Sequence, residues 1–437
     1  MSGEHAFAVA ATLFKPDTGA LPEKPARGVK VGTLNDPGRN RHIDRAVLLT
    51  FPGPGSFTGE DVVEFHCHGG DITPQLVLRA LLEAGCRHAE KGEFTLRAYL
   101  NGRIDLLQAE SVLDIIEAGS ELAQREAVFR LEGSLSRKID EVREGIIALC
   151  AKVEYFIDFP EEDEPLESLE GELDRATSLI GKVEHLLETA LDREVVNRGV
   201  LTVIAGAPNV GKSSLFNLLL ETERAIVTPQ AGTTRDAVEA SLDLGDVPIL
   251  LVDTAGLHRA TETIEVKGIE FTKRYLERAE VIILVLEANR NPTEDELAFL
   301  EDYRNRCVVV VNKSDLGFAF DTSSLEEYGT AGPSVVLSCM KRTGVDSLLR
   351  AVTRAAGLAI GVGSQKGASI AIRARHRAGL ARARDAVLRF RDGLSDLPPE
   401  VLAIELREAC SALEELTGKI TTDDILDRIF DEFCVGK

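Results

Sequence analysis

The chain has 437 residues, 44% of them hydrophobic and 28% charged, enough length for two or three domains that each bury a core. A formal net charge of −22 excludes wholesale nucleic-acid binding by a uniformly basic surface, though one local basic patch remains open. Seven cysteines stand singly, without a CxxC pair and in odd number, which excludes a disulfide framework and a zinc ribbon. No apolar run reaches the length of a spanning helix. The start, MSGEHAFAVAATLFKPDTG, lacks a basic flank and a cleavage site and is poor in arginine, so a cytoplasmic protein is expected.

Residues 1–102 alternate short β-like runs, AVLLTF (46–51) and VVEFHCH (62–68), with turns such as FPGPGSFTG, the texture of a small α+β domain. His66 and His68 bracket Cys67; they read either as alternate residues on one strand face or as a metal pair short of further ligands. From about residue 103, apolar residues recur at three- and four-residue spacing and predict a first helical part over 103–198. The acidic stretch DFPEEDEPLESLEGELD (158–174) reads as a solvated turn. Over 199–357 the runs GVLTVIAG, ILLVD, VIILVLE, CVVVVN and SVVLS alternate with helical segments and predict a parallel sheet covered on both faces. Helical texture returns over 358–437. The predicted fold is therefore multidomain, with a doubly wound α/β domain inserted in a discontinuous helical domain that follows an α+β domain. The basic run RARHRAGLARARDAVLRFR (373–391) is either a solvated helix face or an RNA footprint with salt-dependent affinity.

GAPNVGKS (Gly206 to Ser213) matches GxxxxGK[ST] between a strand and a helix, the context this phosphate-binding loop requires. Gly206 and Gly211 allow a tight turn that aims backbone N–H groups at phosphates. Lys212 reaches the β- and γ-phosphates, and the Ser213 hydroxyl can ligate Mg²⁺. Asp253 of DTAG (253–256) ends an apolar strand and can hold the Mg²⁺ shell, while the Gly256 N–H can sense the γ-phosphate. Asp315 of NKSD (312–315) can accept two parallel hydrogen bonds from N1–H and the exocyclic amine of guanine, which adenine does not offer. SCM (338–340) falls beside the base, where Cys339 reads as a packed small residue rather than a nucleophile. TTRD (233–236) supplies Thr234 as a second hydroxyl for Mg²⁺. Leu257 follows DTAG and cannot orient a water as a glutamine does there in Ras-type sites. Glu265 is a candidate for that task, or only a charge favoured at a helix start.

Taken together, GAPNVGKSSLFN, AGTTRD, DTAGLH, NKSD, SFTGEDVVEFHCHGG (56–70), GEFTLRAYLNGRIDLLQAE (92–110) and the terminal FCVGK closely resemble one family, the tRNA-modification GTPases called MnmE or TrmE. The resemblance runs from about residue 45 to the end. It implies a Ras-like GTPase domain, a folate-binding N-terminal domain that dimerises, and a flavoprotein partner, MnmG, joined in a heterotetramer. Together they act on carbon 5 of the wobble uridine of certain tRNAs, adding a carboxymethylaminomethyl or aminomethyl group with GTP, K⁺, Mg²⁺ and 5-formyl- or methylene-tetrahydrofolate.

On matching positions, GTP falls to Asn209, Val210, Gly211, Lys212, Ser213 and Ser214, then Thr228, Pro229, Gln230, Ala231, Gly232, Thr233 and Thr234. Asp253, Thr254, Ala255, Gly256, Asn312, Lys313, Ser314, Asp315, Ser338, Cys339 and Met340 complete that set. Ser213 and Thr234 would hold Mg²⁺; Asn209 would hold K⁺ with backbone carbonyls of Thr228, Gln230 and Thr233. Glu265 becomes the water-orienting residue, and a cation near the phosphates takes the part of an arginine finger. Glu64, Arg103 and Lys437 would contact folate, with Cys434 near the wobble uridine. Read without the resemblance, Glu64 is a strand residue facing solvent and Arg103 a surface charge at a helix start. The family's opening strand, GRGG turn and following arginine have no match in MSGEHAFAVAATLFKPDTG.

Two other readings compete. A regulatory GTPase on RNA or the ribosome, without modification chemistry, leaves SFTGEDVVEFHCHGG and FCVGK unexplained. A lipid-anchored protein reading CVGK as a CaaX box conflicts with glycine at its third place and lysine at its last.

Overall fold

Runs of branched aliphatic residues build the largest of three sheets among the described residues of this computed structural model. The structure describes residues 1–19, 21, 26–158, 170–221, 238–244, 247–253, 274–328, 332–360, 370–434 and 436. They fall into two compact units: residues 1–113, 131–140 and 411–437 form the first, residues 114–130 and 141–410 the second.

The first unit opens with α1 (Ala6–Leu13), an alanine-rich helix, and a four-stranded antiparallel sheet in the order β1 (Phe14–Pro16), β2 (Gly28–Asp36), β3 (Arg41–Phe51), β4 (Val62–His66). Ala10 and Leu13 of α1, with Val77 and Ala80 of α2 (Thr73–Glu83), share one core with Leu34, Ala46, Leu48 and Val63 of the sheet. The strand begun at AVLLTF starts five residues earlier than its apolar run, because the polar segment Arg41–Arg45 still pairs with β2 across a register shift at Leu34/Asn35. Helix α3 (Glu93–Leu100) and the start of α4 (Leu106–Ile116) complete this unit with the C-terminal segment.

Helices α5 (Glu121–Leu131), α6 (Ser134–Asp158) and α7 (Glu170–Glu188) bear out the helical texture after residue 103. Most of the acidic stretch expected as a turn lies outside the described residues. In the second unit, β5 (Ala190–Asp192) and α8 (Arg193–Arg198) precede a six-stranded sheet. Its order is β11 (Val335–Val336), β10 (Cys307–Asn312), β9 (Val281–Glu287), β6 (Val200–Ala205), β8 (Pro248–Asp253), β7 (Val238–Asp243), with only β7 antiparallel to its neighbour. Alternate residues serve two cores, as a doubly covered sheet requires. Val281, Ile283 and Val285 pack with α9 (Lys212–Leu220) and α11 (Val345–Ala359), whereas Ile282, Leu284 and Leu286 pack with Leu300 of α10 (Glu294–Tyr303).

After the sheet, β12 (Ile370–Ile372) pairs in parallel with β5, so the segments before and after the α/β fold meet. Helices α12 (Ala374–Gly393), α13 (Pro399–Thr417) and α14 (Asp423–Phe430) follow. At the same junction the buried Asp114 accepts hydrogen bonds from Arg130 (2.6 Å), Arg193 (2.7 Å) and Arg373 (2.8 Å), a buried carboxylate kept tolerable by its partners. The basic run thus carries a fold role. Arg377 donates to the Leu187 and Ala190 carbonyls, Arg382 pairs with Glu408, and Arg389 with Glu405. No helix among the described residues is long and apolar enough to cross a membrane.

Candidate functional site

Six consecutive buried residues, Val200–Ala205, run β6 straight into the glycine loop and fix where that loop begins. Gly206 (φ 140°), Asn209 (φ 68°) and Gly211 (φ 105°) then turn the backbone, and α9 starts at Lys212. At Gly211 the demand for glycine is double, since a Cβ there would stand 2.3 Å from Asn312 Nδ2. The Lys212 ammonium donates to the carbonyls of Gly206 (2.9 Å) and Ala207 (2.8 Å), closing the loop on itself. Burial pushes its pKa down, against the opposing pull of Asp253, which lies buried at the end of β8. Ser213 and Ser214 are exposed on the first turn of α9.

The NKSD stretch leaves β10 and meets this loop. Asn312, 2% exposed, donates from Nδ2 to the Val210 carbonyl (2.9 Å) and accepts at Oδ1 from the Cys339 N–H (3.2 Å). Both ends of its amide are engaged by backbone, so it braces the phosphate loop against the SCM loop. Asp315 accepts a hydrogen bond from the Ser338 hydroxyl, which holds its carboxyl below the usual range and favours its ionised form. Ser314 N–H donates to the Leu337 carbonyl (3.2 Å), and Cys339 is half-buried with its thiol pKa raised by burial, the behaviour of a packed residue. A cleft of about 450 Å³ results, lined by Asn209, Gly211, Ser214, Asn312, Lys313, Asp315, Cys339 and Met340. Three stretches, distant from one another in sequence, converge there.

Leu316 also lines the cleft; its signal in the sequence was an apolar residue following NKSD, and it is 61% exposed. The expected ligands Thr228, Pro229, Gln230, Ala231, Gly232, Thr233, Thr234, Thr254, Ala255 and Gly256, with Glu265, lie outside the described residues, as does Lys437.

In the first unit, the SFTGED and GEFTLRAYLNGR stretches are joined by charge. Arg97 donates to Glu60 (2.7 Å) and to Glu93 (2.6 Å), Arg87 also pairs with Glu93, and Asn101 donates to the Thr58 carbonyl (2.7 Å). The Arg87 hydrogen bond leads in holding the Glu93 carboxyl at about 2, with further help from the Glu90 N–H and Arg97 and against the cost of burial. Arg103 is exposed, its stem passing beside Gly59 of the SFTGE turn. Glu64 is exposed on β4 and hydrogen-bonds His66 (3.2 Å), the neighbour two residues on along the same strand face. His68 turns instead to Asp44 (2.9 Å). Among the described residues no group of three or more potential ligands could hold a metal ion.

The tail arrives at a defined place. Phe430 and Phe433 are buried with Leu106, Ala109 and Leu113, their rings 5.3 Å apart. Gly92, in the left-handed conformation (φ 63°), lies under them, and a Cβ there would meet Phe430 Cδ1 at 2.9 Å. The Gly92 N–H donates to the Cys434 carbonyl (3.3 Å), and Lys91 Nζ to the Asp431 carbonyl (3.3 Å). Cys434 is exposed there. The GEFT and FCVGK stretches, more than three hundred residues apart in sequence, are therefore one contact.

A parallel sheet with a glycine loop after its first strand, a helix opening at lysine, and an NKSD aspartate lining the same cleft define a P-loop protein of the GTP-binding class. Two family models match the chain: one described as GTP-binding protein TrmE N-terminus over residues 1–103, the other as MnmE helical domain over residues 106–434. The tRNA modification GTPase MnmE of Heliobacterium modesticaldum is 40% identical over 444 residues, covering 100% of this chain and 95% of the relative. Its namesake from Aquifex aeolicus is 38% identical over 441 residues with the same coverage. That of Syntrophotalea carbinolica is 41% identical over 397 residues, covering 90% of this chain and 86% of the relative. This chain belongs to the MnmE (TrmE) family of tRNA modification GTPases.

Proposed function

We propose that the chain hydrolyses GTP and, as a homodimer with the flavoprotein MnmG, modifies carbon 5 of the wobble uridine of certain tRNAs in the cytoplasm. The observation that carries the nucleotide half is the single cleft uniting Asn209, Gly211 and Asp315. Hard oxygen donors suit Mg²⁺: the exposed Ser213 hydroxyl on α9, with Asp253 close enough to act on the Lys212 charge. Thr234 would join Ser213. Asn209, which lines the cleft, would suit K⁺ together with backbone carbonyls of Thr228, Gln230 and Thr233. When bound, the cations would supply positive charge to the transferring phosphoryl group, and Glu265 would orient the attacking water.

The tRNA half rests on the family membership and on the docked tail. One-carbon tetrahydrofolate would be held by Glu64, Arg103 and Lys437, and Cys434 would face the uridine. The exposed guanidinium of Arg103 suits the glutamate carboxylates of folate by charge. Nucleoside analysis of tRNA from a deletion strain complemented with this chain tests the reading. Restored wobble-uridine modification is expected, and the Cys434→Ser chain should lose it while keeping GTP hydrolysis. In the purified protein, hydrolysis should run faster in K⁺ than in Na⁺; equal rates would remove the cation from the account.

A further inference from the structure

Beside the guanine end of the cleft lies a chain of charges of which only Lys313 belongs to a sequence motif. Lys313, the second residue of NKSD, is a non-glycine residue in the left-handed conformation (φ 61°), which L side chains rarely adopt. Lys313 lines the cleft, and its ammonium is ion-paired to Oε1 of Glu287. Glu287 is the last residue of β9 and stands opposite Asn312 in the sheet register, 16% exposed in its side chain. Its other oxygen accepts from Arg290 Nε (2.9 Å). Arg290 in turn is bidentate to Glu296, at 2.6 and 2.8 Å, and Glu296 closes a capping box with Thr293 at the start of α10. Both carboxylate oxygens of Glu287 are thus held, one by the cleft lysine and one by a relay anchored on a helix end.

We propose that Glu287 is a positioning residue for nucleotide binding, fixing the Lys313 ammonium so that the lysine stem stands as a preformed wall at the guanine end of the cleft. The inference rests on reading the cleft as a guanine-nucleotide site. A lysine released from Glu287 samples many rotamers, and each binding event then has to order it. Because the wall is the same before and after hydrolysis, GTP and GDP lose equally, and the chemical step is untouched. The sequence carries a trace of this in the acidic end of the otherwise apolar run VIILVLE.

The test uses the full chain and its Glu287→Gln, Lys313→Ala and doubly substituted forms, with equilibrium titration of GTP and GDP and steady-state hydrolysis. Glu287→Gln should weaken both nucleotides by about tenfold and raise KM with kcat unchanged, the pattern of lost uniform binding. The double variant should bind no more weakly than Lys313→Ala alone, because the two residues act as one unit. Unaltered affinity in Glu287→Gln, a fall in kcat without a rise in KM, or losses that multiply in the double variant would each overturn the proposal. Failure of the unsubstituted chain to bind GTP would instead remove the reading on which it rests.

Discussion

At the nucleotide cleft, backbone does most of the holding. The loop from Gly206 to Ser213 is shaped by left-handed positions, by carbonyls that grip Lys212, and by an asparagine whose amide is held at both ends by main chain. Around the docked tail, side chains do it instead. Two phenylalanines fill a core, and Glu93 gathers Arg87 and Arg97 against Glu60. The difference teaches why one region announces itself in a few consecutive residues and the other does not. A backbone-built site concentrates its demands on adjacent positions, whereas a site built by packing and ion pairs spreads them over residues that meet only after folding.

The same substitution in both regions probes that contrast. Gly211→Ala sets a methyl against Asn312 Nδ2, which two hydrogen bonds hold in place, and should weaken GTP binding by on the order of a hundredfold. Gly92→Ala meets ring carbons of Phe430 and Phe433 at 2.9–3.0 Å, which can shift by tenths of an ångström. It should cost about 1–3 kcal/mol of stability and leave GTP affinity unchanged. Titration with a fluorescent GTP analogue beside thermal unfolding separates the two outcomes, and equal losses of affinity would break the contrast.

Next in size, Phe433→Ala removes a side chain 2% exposed and should destabilise the tail's packing by about 3–5 kcal/mol. Limited proteolysis should then cut residues 419–433 faster than in the unsubstituted chain, with GTP hydrolysis as before. A hydrolysis rate that falls with the tail would show the two regions to be one functional piece.

The smallest effect is a pH dependence. Glu93 titrates at about 2 rather than its ordinary 4.5, so its ion pairs stabilise the fold fully above 4.5 and lose that contribution as pH falls towards 2. Glu93→Gln should therefore melt below the unsubstituted chain at pH 6, and the gap should close on acidification across that window. A gap that stayed constant down to pH 2 would place the stabilisation elsewhere.

The α/β fold was legible because its parallel strands are apolar runs and because the glycine loop and NKSD each sit at the end of one, whereas the antiparallel edge strand β7, VEASLD, carries no such run. What stayed hidden is instructive. The polar half of β3 carries no hydrophobic signal, since its residues are placed by pairing with β2. The run at 373–391 looked equally like an RNA footprint because its acidic partners, Glu405 and Glu408, come from a later helix. Asn312, expected to contact the ligand, also ties the phosphate loop to the SCM loop by hydrogen bonds to backbone, a role that no spacing rule carries. The joining of GEFT to FCVGK could be suspected only from their appearing together, because the Gly92–Phe433 contact that explains both is long-range.

The central claim, that the cleft between the phosphate loop and NKSD selects guanine through Asp315, has a direct test in the Asp315→Asn variant. Xanthine carries a carbonyl where guanine carries its exocyclic amine, so an amide donor at 315 complements it and no longer accepts twice from guanine. Competition of GTP, XTP and ATP for the purified variant should show GTP affinity falling by at least tenfold while XTP affinity rises above it. Unchanged preference for GTP in the Asp315→Asn chain would contradict the account.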